Sequence, residues 1–214
     1  MPALIARLLR RARSADPSGF GEFLKARGAF VAQKTVLDYC RVKAGRDEQR
    51  TFADSDFQAA LQHCRWQVFL GALADVTAMA EAWLRPHLPP GRNPEAALAA
   101  GLALLHDAAL ATEPPPPEEA EAAAAAARAL PGHLHALQLR PPLPANRLPL
   151  LAEAPLFATL PVHADQRVGE APAIRGALRF HLVSAGQEME RLFDPAALAP
   201  RVAGLEPEAA ADGR

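Results

Sequence analysis

Two long helix patterns, about 19–44 and 55–85, flank a short charged link, and each carries charges on the face that should be buried. From Phe57 the apolar residues run through Leu61, Cys64, Val68, Ala72, Val76, Met79 and Trp83. Their mean step of about 3.7 residues is close to the helical period. On that projection Asp75 falls inside the apolar stripe and Arg65 at its edge. The partner pattern carries Arg27, Lys34, Asp38 and Arg41 on one narrow stripe. A charge on a core face has to be paired, hydrogen-bonded or functional.

If the two helices form an antiparallel hairpin, the link places Arg27 opposite Asp75 and Asp38 opposite Arg65, in one register. Asp38 can also be met by Arg41, and by Lys34 one turn earlier. The pattern therefore predicts either a buried salt-bridge ladder or an anion pocket. In the second reading Arg27, Lys34, Arg41 and Arg65 offer forks and ammonium groups to a carboxylate or phosphate, with Asp38 and Asp75 among them.

Composition supports helices over sheets. The chain has 214 residues, is 50% hydrophobic and only 6% aromatic, so Ala and Leu supply much of its apolar content. The expected class is all-α: an irregular helical bundle around a long antiparallel pair, with a proline-rich wrapping segment. Net charge is −1, which gives no bulk reason to expect a nucleic-acid partner. No window reaches about 18 uninterrupted apolar residues, no secretory signal is evident, and a cytoplasmic location is expected.

The organisation reads in five stretches. Residues 1–15 hold a basic amphipathic helix, in which Leu4, Ile5, Leu8 and Leu9 oppose Arg7, Arg10, Arg11 and Arg13; weak contact with an anionic membrane surface through 2–14 fits this pattern. Residues 19–111 form the helical core: Ser18 is expected to cap its first helix, which is apolar nearly all round and so expected to be central. Residues 46–54 read as a turn, Asp54 or Ser55 as the next cap, and Asn93 as the cap of a helix over 94–111 with Pro94 at its first position. Residues 112–170 are linker and wrap, with an Ala-rich helix over 118–130 that stops at Pro131-Gly132. Residues 171–199 return to the core as a helix with Ile174, Leu178, Leu182, Met189 and Leu192 inward, and 200–214 read as a flexible tail.

With 21 prolines in the chain, the run from 131 to 170 suits neither a regular helix nor a central strand. Residues 143–162 nonetheless hold Leu143, Leu148, Leu150, Leu151, Leu156, Phe157, Leu160 and Val162. That apolar load predicts docking over the outer side of helix 19–44, or else an exposed partner-binding element.

Chemical signatures are sparse. There is no nucleophile elbow, dinucleotide fingerprint or phosphate loop, and no cofactor is implied. Cys40 and Cys64 share a register position with His63 beside them, the one thiolate–imidazole set the pattern offers a metal. Lacking Cys-x-x-Cys and a second His at ligand spacing, the thiols read better as small core residues. His106-Asp107 and His163-x-Asp165 read as surface polar groups or caps, and His133 and His135 as one side of an extended segment. The expected function is a non-catalytic helical adaptor that binds a protein partner. The alternative is a small-anion or carboxylate-binding protein, or an enzyme such as a hydrolase, using the Arg/Lys/Asp stripe.

Overall fold

Helix starts follow local capping chemistry. In the computed structural model, which describes residues 13–206, Asp16 rather than Ser18 opens the first helix. Its carboxylate accepts from the Ser18 and Gly19 amides at 3.3 and 2.8 Å, and Pro17 takes the first helical position. This helix, α1, spans Pro17–Ala44 and ends at Gly45, whose φ of 54° lies in the region that glycine tolerates best. The link 46–54 is not a plain turn: a 3₁₀ turn at Gly45–Asp47 leads into a short helix, α2, at Glu48–Ala53. Asp54 then accepts from the Phe57 amide at 2.9 Å, as expected, and starts α3 at Ser55–Leu84.

The antiparallel register of α1 and α3 matches the expectation to within a residue. Gly28 of α1 lies directly against Leu73 of α3, so closely that a Cβ on Gly28 would come 2.9 Å from the Leu73 Cα. The central helix, however, is α3, not α1. Every residue from Ala72 to Ala82 is buried, because five alanines in that run let neighbours approach from all sides. α3 touches α1 and also α4 (Pro94–Ala111), α5 (Ala120–Gln138), α6 (Glu153–Thr159), α7 (Ala171–Leu192) and α8 (Pro195–Ala203). The buried apolar residues form one contiguous core. The all-α class is as the sequence predicts.

Three further segments depart from expectation. α5 does not stop at Pro131 but runs through it to Gln138. An interior proline costs about 3 kcal/mol. Continuation offsets that cost by burying Leu134 and packing Leu137, and it lets Gln138 donate to Glu81 at 3.1 Å and to the Glu95 carbonyl at 2.7 Å. His133 and His135 consequently lie on a helix, where two positions apart means different faces.

The wrap docks on α3 and α7 rather than over the outer side of α1. Leu148, Ala152, Leu156 and Leu160 are buried, while Leu151 stays 39% exposed. Leu192 of α7, expected inward, is likewise 39% exposed. Glu170 ties the entry of α7 to the end of α1, accepting from the Tyr39 hydroxyl and the Lys43 ammonium, each at 2.6 Å.

The third departure is α8, which begins before residue 200 and continues past it. Asp194 caps it by accepting from the Ala196 and Ala197 amides, and Leu198, Ala199 and Val202 are buried. Gly101 of α4 provides the seat: a Cβ there would fall 1.9 Å from the Val202 carbonyl oxygen. A Gly101→Leu substitution should therefore unseat α8. The expected result is a lower Tm, with amide exchange accelerating first in 195–203, by hydrogen-exchange mass spectrometry; unchanged protection there would count against this packing. The basic helix over 2–14 and the outer part of the tail lie outside the described residues. Among the described residues no helix is long and apolar enough to cross a membrane.

Candidate functional site

The charge stripe of α1 faces α7, not α3. Arg27 pairs with Glu188 of α7 at 2.8 Å rather than with Asp75. Seven and eleven residues further along α1, Lys34 and Asp38 stand close enough to His181, seven residues back along α7, for their charges to act on its imidazole. Burial is the larger influence there and pushes the His181 pKa down. Within α1, Lys34 meets Asp38 at 2.7 Å and Arg41 lies 3.9 Å from it, as the spacing predicts. Arg41 also reaches Glu48 at 3.4 Å. These groups are roughly half exposed, so they form a solvated network of small energetic weight. The expected contact of Asp38 with Arg65 does not form.

The physical reason is azimuthal. Successive helix positions turn by about 100°. With Gly28 and Leu73 at the contact line, Arg27 is swung away from α3, and Asp75 points to the opposite side of its own helix.

There Asp75 has a different task. It is 2% exposed, and its two carboxylate oxygens accept from the successive amides of Leu151 and Ala152 at 2.7 and 3.1 Å. It thereby caps α6 from another helix, supplying what the N-terminal turn of α6 lacks. Gly71, one turn earlier on the same face, lets the wrap in: a Cβ there would meet the Ala152 Cα at 2.6 Å. From the other side Arg179 donates to the Ala145 and Leu148 carbonyls at 3.0 and 2.6 Å. Burial pushes the Asp75 carboxyl up to about 7, against the lowering pull of the two amides and of Arg179. Asp75 is a clamp on the wrap, and it stands apart from the other stripe residues.

Two further buried carboxylates were not anticipated. Glu81, 0% exposed, lies 2.9 Å from Arg85 Nε, while Arg85 also donates to the Arg140 carbonyl at 2.7 Å. The i,i+4 spacing of Glu81 and Arg85 was the available signal. Glu119, 1% exposed, takes His63 Nδ1 at 2.5 Å and the Gln67 amide at 2.6 Å, anchoring the proline-rich turn before α5 to α3. No periodicity argument could reach Glu119, which sits outside any regular stripe.

This pairing separates His63 from the thiols. Cys40 and Cys64 are both free and buried. Burial pushes Cys40 up to about 12, with the neighbouring Cys64 adding to the rise, and pushes Cys64 up to about 11. Protonated thiols are poor ligands and poor nucleophiles. Among the described residues no group of three or more His, Cys, Asp and Glu side chains is arranged to hold a metal ion. His106, expected at the surface, is instead fully buried, and that burial lowers its pKa.

Of the six stripe candidates Arg65 lines a cavity, and none of the other five lines the same one. An open groove of about 410 Å³ runs between α1 and α3. Ala29, Ala32 and Gln33 form one wall, Gln62, Arg65, Trp66 and Phe69 the other, and Glu113 stands after α4. Trp66 and Phe69 pack edge to face, ring centres 5.6 Å apart. Arg65 is exposed, and among the described residues its guanidinium has neither a hydrogen bond nor an ion pair. Such a groove offers an apolar floor, an uncommitted cationic fork and two neutral amides, a combination suited to a small organic anion. Compared with known protein families, curated proteins and solved structures, the chain matches none of them.

Proposed function

We propose that this chain is a non-catalytic binding protein whose α1–α3 groove receives a ligand with an apolar body and an anionic group. The supporting observation is the uncommitted Arg65 guanidinium beside Trp66 in a cavity of about 410 Å³. A carboxylate would accept two parallel hydrogen bonds from Arg65, and the apolar body would rest on Trp66, Phe69, Ala29 and Ala32. Gln33 and Gln62 complete the wall with donors that add no charge.

The test uses Trp66 itself. The chain has two tryptophans, so a Trp83→Phe background leaves Trp66 as the only indole. Titration with benzoate should shift its emission saturably, and Arg65→Gln should abolish the shift. Arg41→Gln, on the exposed α1 network, should leave it intact. A flat response in the Trp83→Phe protein would reject the groove.

A second reading, a cytoplasmic helical adaptor, draws on the opposite side of α1. Phe180 is 68% exposed and packs edge to face with His181, which packs edge to face in turn with Phe30, itself 37% exposed. Aromatic side chains of this kind anchor protein partners. Capture of a partner from native extract on the immobilised protein, lost on Phe180→Asp, would support the adaptor; capture unaffected by that change would count against this face.

A further inference from the structure

The groove's charge arrangement bears on which anions it accepts. Arg65 supplies one positive charge. Glu113 lines the same groove and is held by Lys25, whose ammonium lies 3.3 Å from its carboxylate. That pair is neutral taken together, so Arg65 leaves the site with a single uncompensated charge. Gln33 and Gln62 add hydrogen-bonding capacity without altering this balance.

We infer that Glu113 is a specificity-determining residue that biases the groove toward organic monoanions, aromatic monocarboxylates above all, over dicarboxylates and phosphate monoesters. This rests on the groove being the binding site. A monocarboxylate cancels the charge of Arg65 and seats its ring on Trp66 and Phe69. A dianion brings a second negative charge beside the Glu113 carboxylate, and the cation near that carboxylate, Lys25, is already paired with it. Both side chains are largely solvent-exposed, so the discrimination is modest, about threefold per added charge, and weakens with salt.

The experiment compares benzoate, isophthalate and phenyl phosphate by calorimetry on the full chain, in wild type and in Glu113→Gln. Glu113 is exposed, so the substitution should leave the fold unchanged, which circular dichroism checks. Wild type should bind benzoate more tightly than either dianion. Glu113→Gln should strengthen the dianions severalfold more than benzoate, narrowing or reversing the preference, and 0.5 M salt should shrink the difference. Wild type binding isophthalate or phenyl phosphate as tightly as benzoate would overturn the inference, as would a benzoate-to-dianion ratio unmoved by the substitution. Both outcomes would leave the groove standing as a binding site. Silence from all three ligands would remove the groove reading and this inference together.

Discussion

Asp75→Ala should lower the stability of this protein by about 3 kcal/mol, because it strips the partners from the Leu151 and Ala152 amides, the second of which is fully buried. The damage should be local first. With its clamp gone, the wrap should open at Arg147, which is exposed and so available to trypsin, while the helices remain folded. Urea denaturation and limited proteolysis read the two effects separately. Wild-type stability together with a wild-type digestion pattern would show that the carboxylate does not hold the wrap.

The same residue makes a pH prediction. Its folded pKa of about 7 lies above the ordinary carboxylate value of 3.8, so the folded state holds its proton more tightly than the unfolded chain. The stability it contributes is present below about pH 4 and is lost as pH rises toward 7, with a slope of up to about 1.4 kcal/mol per pH unit. Asp75→Asn cannot ionise, and its amide oxygen can serve only part of the two-amide cap. It should therefore be less stable than wild type at pH 4 and should lack this slope. Parallel stability–pH curves for the two proteins between pH 4 and 7 would contradict the burial argument.

Glu81→Ala should cost more, about 3–5 kcal/mol, because it leaves Arg85 charged and only 10% exposed with its buried counter-ion gone. It also frees Gln138, and so should loosen the last turn of α5, the one that continues beyond Pro131. Glu81→Leu combined with Arg85→Met should recover part of the loss, since an apolar pair of similar volume avoids the unpaired charge. Recovery should be incomplete, because Arg85 also donates to the Leu137 and Arg140 carbonyls. Chemical denaturation of the three proteins measures this. A Glu81→Ala protein within 1 kcal/mol of wild type would mean that the pair is hydrated rather than buried.

These two carboxylates show what could be read in advance. Asp75 was conspicuous because it interrupts an apolar stripe, and it is indeed deeply buried. Its partner is not legible in the pattern, because a helical projection identifies a face but not what covers that face. Glu81 lies in the same buried stretch, yet its ordinary i,i+4 spacing to Arg85 does not set it apart from a surface pair. The charge pattern places Arg65 in a ladder or a four-cation pocket. Of the stripe it alone reaches the groove, beside aromatic and amide side chains that no charge pattern marks.

The sequence by itself determined the helical class, the Asp54 cap, the Pro94 start and the antiparallel register of α1 against α3, though not the expected Asn93 cap, whose side chain makes no capping hydrogen bond. Each of these is local, or depends on one short link whose length fixes the axial alignment. The tertiary structure decided which face of each helix meets which neighbour, and with it the pairing of Arg27 to Glu188 and of Asp75 to the wrap. It also decided that α5 crosses Pro131, that α8 docks against Gly101 and that α3 occupies the centre. Those outcomes are settled by competition among distant segments for buried surface, where a few well-placed contacts outweigh a local penalty of about 3 kcal/mol.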